Sequence, residues 1–219
     1  MAATLITGNS AGPGSERSMT SPLRAVAAAA GLVQDWAHGT EGRRRTRRAL
    51  RPLEQCGWRV DHDITLPGGI SADHLALGTS GVYVIASRAW GGVVTVDHKG
   101  PTITPRGDPC AAWTANGHHR SLAPAAAAVA RSLAAAAGLP VRAPRAVVAI
   151  WAPFPDRIAE SGGVTYVAGA YLADWLAVQP TRLGLDELAA LTGATTVSLV
   201  PTQRSLAPAW NRRLIAADL

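Results

Sequence analysis

SADHLALGTSGVYVIASRAWGG, residues 71–92, is two apolar, β-prone runs around a Gly-Thr-Ser-Gly break. The alternation and the short break predict a tight antiparallel hairpin with its loop at residues 78–81 and Leu77 facing Val82. That register sets Asp73 opposite Ala86. It makes Arg88 the diagonal neighbour of Asp73 on the same face, ~7–8 Å away between backbones and within reach of a long side chain. Arg88 is therefore expected to neutralise Asp73.

Upstream, WRVDHDITL (58–66) reads as a further strand, joined to the hairpin through PGGI. Before it, a helix is expected from about Thr40 to Gln55, ended by Gly57. At 100° per residue Thr46, Ala49, Leu50 and Leu53 share one arc, and Arg43, Arg44, Arg47, Arg48 and Arg51 cover the opposite one. Those arginines suit bidentate contacts to phosphates, and equally a solvated surface stripe. Residues 1–22 are expected to be a disordered tail and 23–35 a short helix, Leu23–Ala30, closed by Gly31 and a linker. Residues 36–219 are expected to form one domain, with a motif-bearing core at 39–100 and a helix–strand remainder at 120–200.

Downstream, GVVTV in the 91–96 region is a fourth strand and residues 100–117 an irregular loop. A helix is expected over 121–138, strands over 145–153 and 164–169, and helices over 170–178 and 185–192. This order predicts an α/β (α+β) fold, a mixed central sheet with an antiparallel meander flanked by helices.

The 219 residues carry a formal charge of +6, with 47% hydrophobic and 16% charged residues, so wholesale disorder is excluded and acidic partners are favoured. Arginine supplies nearly all of the positive charge, Lys99 being the single lysine. Cys56 and Cys110 are too few for a disulfide framework and are expected as free thiols, Cys56 in the core and Cys110 in a loop, in a reducing compartment. The first residues lack the pattern of a secretory leader, and no apolar run reaches membrane-spanning length. A soluble, cytoplasmic protein without membrane contact is expected.

The pieces GTEGRRRTRRAL, GWRVDHDITLP and SADHLALGTSGVYVIASRAWGG together resemble the nuclease-related domain (NERD) family, in register over about Gly39 to Gly100 and more loosely through the Ala-rich helix to the strand at Val147. That family is similar to the PD-(D/E)xK endonucleases. The resemblance implies a restriction-endonuclease-like fold and Mg²⁺-dependent phosphodiester hydrolysis by clustered carboxylates and a lysine. It places a first acid at Arg43, a second at Asp73, a third at Ala86 and the lysine at Arg88. Only Asp73 keeps the family's chemistry. Arg88 stays protonated and is a poor general base, so its exchange for lysine is not neutral. Glu41 would be turned about 200° from Arg43 on a helix, and Glu54 lies three turns along.

Asp73 and Arg88 are thus candidate remnants of a catalytic site, and the arginine arc is the candidate nucleic-acid surface. No cofactor is expected, Mg²⁺ entering only if a relocated site survives. His62, Asp63 and His74 could suggest a metal trio, but neighbouring strand positions face opposite sides, so packing is the better reading. His118 and His119 are read as a surface loop, Ser80 as a turn residue, and Trp58, Trp90 and Trp151 as core. Whether the chain is an enzyme stays open, and the replacements at Arg43, Ala86 and Arg88 argue against it. Three functions compete: a degenerate nuclease fold that binds nucleic acid or assists DNA processing, an active Mg-dependent endonuclease with Asp73 and a carboxylate such as Asp63 or Glu41, and a protein-interaction scaffold using the N-terminus and the Trp210 segment. Protein partners are not legible.

Overall fold

The computed structural model describes residues 22–65, 71–115, 118–139, 144–198 and 200–201. The expected tail, the PGGI turn and the Trp210 segment lie outside the described residues. The chain divides into two compact units, 1–36 and 37–219. Of the first, the described part is helical.

The central element is the hairpin. Strands β2 (Ser71–Gly78) and β3 (Gly81–Arg88) pair antiparallel with Leu77 opposite Val82 and Gly78 opposite Gly81, as the sequence predicts. Gly81 closes the turn at φ +132°, where a side chain would be strained. Strand β1 (Arg59–Thr65) flanks β2, and its outer edge takes β10 (Val200–Pro201). On the other side β3 pairs parallel with β7 (Arg145–Ile150), and β7 with β9 (Val164–Ala168), which the edge strand β8 (Ile158–Ser161) joins antiparallel. The seven strands run β10-β1-β2-β3-β7-β9-β8, a mixed sheet.

Both faces of the central strands are covered, so β3 and β7 read as continuous apolar runs. Period-two alternation splits them. Val82, Val84 and Ala86 face helices α2 (His118–Ala137) and α4 (Leu185–Ser198), where Leu122, Val129, Leu133 and Leu191 complete the larger core. Tyr83 and Ile85 face α1 (Pro22–Gln55) and α3 (Leu172–Ala177), packing on Leu50, Leu53, Leu172 and Leu176. Leu50 and Leu53, each worth roughly 1.5–3 kcal/mol of burial, tie the basic helix to the sheet. Trp58 follows α1 and covers Gly78, where an added Cβ would collide with its indole.

Several expectations need correction. One continuous helix spans Pro22–Gln55 where two were read: a run of alanines, arginines and leucines outweighs the cost of about 1 kcal/mol for each of Gly31, Gly39 and Gly42. Strand β4 (Gly92–Asp97) does not extend the meander. It forms a separate three-stranded sheet with β5 (Gly100–Pro105) and β6 (Trp113–Thr114), inside the region read as loop. Val94, Ile103 and Ala115 anchor that sheet in the larger core. His118 and His119 begin α2 rather than lying in a loop, and α4 runs on to Ser198. Cys56 is exposed, because the chain turns at Gly57 (φ +83°) directly beyond the helix end; Cys110 is exposed in a short 3₁₀ turn, and both thiols are free. Among the described residues no helix is long and apolar enough to cross a membrane.

Candidate functional site

Helix α1 crosses the end of β3 at Gly42. The glycine is buried, and a Cβ there would touch the backbone of Arg88 and Ala89 at 3.4 Å. This close approach brings the next helix residue, Arg43, beside Arg88. Asp73 sits between them: its Oδ1 is 3.7 Å from Arg43 Nη1 and its Oδ2 is 3.5 Å from Arg88 Nη1. Arg88 thus reaches Asp73 as the hairpin register anticipates. Arg43, at the station where the family resemblance expects an acid, supplies a second cation that the sequence reading left on the outer arc.

The carboxylate is held mainly by the backbone, Ser87 N–H donating to Oδ2 at 2.9 Å. Both guanidinium contacts are longer than N–H···O hydrogen bonds. Arg88 Nη1 donates instead to the Ser87 carbonyl at 2.7 Å, and Arg43 Nη2 to Thr40 Oγ1 at 3.2 Å. Burial, and then the charge of Arg43, push the Arg88 pKa down, while Asp73 pulls it up.

A second acid, Asp63, lies at the rim. It takes a left-handed backbone conformation, φ 50°, uncommon for a residue with a side chain though tolerated by Asp. The regular alternation of β1 breaks there, and the carboxylate meets Arg47 Nη2 at 3.0 Å and Arg43 Nε at 4.0 Å. Glu41 is inside the helix, clamped by Arg44 and Arg45 at 2.8 and 2.7 Å. Its pKa falls to about 2 through those hydrogen bonds. Arg48 and Arg51 are exposed, with no ion pair among the described residues. The arc is thus partly neutralised: Arg43, Arg44 and Arg47 have acidic partners.

On the α1 face of the sheet, a chain of polar groups runs inward from His62. His62 Nδ1 lies 2.7 Å from His74 Nδ1, and His74 Nε2 lies 3.1 Å from Ser87 Oγ. Ser87 Oγ lies 2.8 Å from Thr46 Oγ1, which also receives Trp151 Nε1–H at 2.7 Å and donates to the Gly42 carbonyl at 3.0 Å. The proton positions follow from the donor inventory. The Gly42 carbonyl can only accept, so it takes the one Thr46 proton. Ser87 must then donate to Thr46 and accept from His74 Nε2–H. That leaves His74 Nδ1 as an acceptor, served by His62 Nδ1–H.

Burial, then repulsion from His62, Arg47 and Arg43, holds the His74 pKa well below the ordinary imidazole value, matching the neutral form this chain demands. His62 is lowered by burial and Arg47, against the pull of Glu54, Asp63 and Asp61. Its Nε2 faces Glu54 Oε1 at 3.9 Å. The two histidines are bonded to each other rather than converging with Asp63 on one point. The sequence signal for this polar chain is slight: Thr46 shares the apolar arc of the helix, and Ser87 and Trp151 become its partners only through the fold.

Mg²⁺ requires several oxygen ligands in octahedral array. Among the described residues no three His, Cys, Asp or Glu side chains come together to hold a metal ion. The one carboxylate at the family's metal station is flanked by two cations, a donor set that does not fit a divalent cation.

A mixed sheet covered by helices on both faces, with its polar centre where the first helix meets the hairpin, is an architecture consistent with the PD-(D/E)xK endonuclease-like class. Residues 38–141, just under half of the chain, match the family model described as Nuclease-related domain (NERD). The match takes in α1 from residue 38 onward, the hairpin, the second sheet and α2, and ends before β7. No curated protein and no solved structure matches the chain.

Proposed function

We propose that this domain binds nucleic acid and does not hydrolyse it, serving as an accessory in nucleic-acid processing. The observation that carries the reading is the partnership of Asp73, which faces Arg43 and Arg88 where a metal-dependent nuclease would need further acids and a lysine. A guanidinium that stays protonated cannot accept a proton from water, and two of them repel a divalent cation. The net charge of +6 and the exposed Arg48 and Arg51 support a polyanionic partner. The test is supercoiled plasmid incubated with Mg²⁺ or Mn²⁺, alongside a gel-shift assay at low salt. The expected outcome is a shift without nicking, weakening steeply as salt rises. Metal-dependent nicking that Asp73→Ala abolishes would establish the active endonuclease instead.

A further inference from the structure

The family's metal station is here a site for an anion, and we infer that Arg43 and Arg88 together hold one phosphodiester group of the nucleic-acid backbone. The inference rests on the nucleic-acid-binding reading and names the atoms that would do the binding.

The first argument is charge. Around Asp73 and Asp63 stand Arg43, Arg47 and Arg88, each within 4.0 Å of a carboxylate oxygen. With both histidines neutral the group carries 3 − 2 = +1. A phosphodiester carries one negative charge and brings the group to neutrality. A divalent cation would raise it to +3.

The second argument is donor capacity. A guanidinium offers five N–H donors in a planar fork. Arg88 commits one hydrogen bond, to Ser87 O, and Arg43 one, to Thr40 Oγ1. Neither closes to hydrogen-bonding distance on Asp73, at 3.5 and 3.7 Å. Asp73 orients both cations by charge and leaves most of their N–H donors uncommitted. Each side chain keeps part of its surface exposed, 21% for Arg43 and 24% for Arg88, where an oxyanion can approach and be gripped.

The third argument is placement. Arg88 is fixed by its strand: its carbonyl accepts from Trp151 N–H at 2.7 Å, and Gly42 of α1 packs on its backbone. Arg43 follows Gly42 on α1, and Arg47 stands one turn further on. Arg47, with Arg48 and Arg51 beyond it, continues the basic track along the helix, so a backbone gripped at Arg43 and Arg88 meets further cations along α1.

The test is fluorescence anisotropy of a labelled oligonucleotide, single-stranded and duplex, over a range of NaCl concentrations. Loss of one phosphate contact lowers the slope of log affinity against log salt by about 0.9, or about tenfold in affinity at roughly 0.1 M salt. Arg88→Gln and Arg43→Gln are each expected to show that loss, and Arg131→Gln on α2, the same change in net charge, almost none. Asp73→Asn removes the competing carboxylate and is expected to tighten binding several-fold. That opposite sign keeps the test decisive if Arg88→Gln fails to fold.

Absence of binding by the wild-type chain at low salt would overturn the nucleic-acid reading itself. Binding that Arg88→Gln and Arg43→Gln leave intact, or that Asp73→Asn weakens, would leave that reading standing and overturn this assignment. Sodium phosphate and NaCl at matched ionic strength are expected to displace the oligonucleotide equally. Much stronger displacement by phosphate would mark a free-phosphate site and overturn the assignment to the backbone.

Discussion

Replacing Thr46 by Val tests the polar chain most directly, because shape is nearly preserved while one hydroxyl disappears. Thr46 is fully buried and serves three partners: it accepts from Ser87 Oγ–H at 2.8 Å and Trp151 Nε1–H at 2.7 Å, and donates to Gly42 O at 3.0 Å. The Gly42 carbonyl keeps its helical partner. Ser87, fully buried, loses the acceptor for its only proton, at roughly 1–3 kcal/mol, and half-buried Trp151 loses somewhat less because water can reach it. The expected cost is about 2–4 kcal/mol, or about 4–16 °C in Tm for a chain of this length. Urea unfolding followed by far-UV circular dichroism gives the free energy, with an unchanged m-value showing that the same surface is exposed. Thr46→Ser keeps the hydroxyl and is expected to cost about 0.8 kcal/mol, that of one lost methyl. In the Thr46→Val background, Ser87→Ala should cost less than it does alone, since the network is already broken. A Thr46→Val chain as stable as wild type, with unchanged imidazole ¹⁵N shifts, would show that the hydroxyl is not shared as described.

Acid should destabilise the fold through the histidine pair. His62 and His74 are lowered in the folded state, chiefly by burial, so below the ordinary imidazole pKa of about 6.5 the unfolded chain binds more protons and stability falls as pH falls. Stability measured by urea titration between neutral pH and mild acid should show that loss, and His74→Gln should flatten it. Gly78→Ala would drive a methyl into the Trp58 ring and is expected to cost about 1–3 kcal/mol by chemical denaturation. Asp63→Asn should leave the fold intact, since Asn accepts a φ of 50°, while releasing Arg43 and Arg47 from a negative partner. Its expected signature is tighter oligonucleotide binding in the anisotropy assay with little change in Tm.

What could be read in advance follows from the range of each interaction. The hairpin was legible because Gly78-Thr79-Ser80-Gly81 and the flanking alternation are local, and its register alone brings Arg88 to Asp73. The core faces of β3 and β7 and the buried arc at Leu50 and Leu53 follow from periodicity in the same way. Arg43 escaped because its azimuth on the helix puts it with the solvated arginines; only the approach of Gly42 to Arg88 turns it toward the acid. The second sheet escaped because Pro101 and Pro105 bracket Thr-Ile-Thr and imitate a loop, whereas in the fold they sit opposite the ends of β4. Thr46, Ser87 and Trp151 are 41 and 105 positions apart along the chain, and no local pattern joins them.

The facing Nδ1 atoms of His62 and His74 admit a single hydrogen between them. Every link inward from that pair shares one polarity, and the innermost acceptor, the Gly42 carbonyl, leaves it no way to reverse. The tautomer of a histidine at the sheet's rim is thereby dictated by a helix carbonyl it never touches: neutral His62 carries its proton on Nδ1 and turns a bare Nε2 toward Glu54.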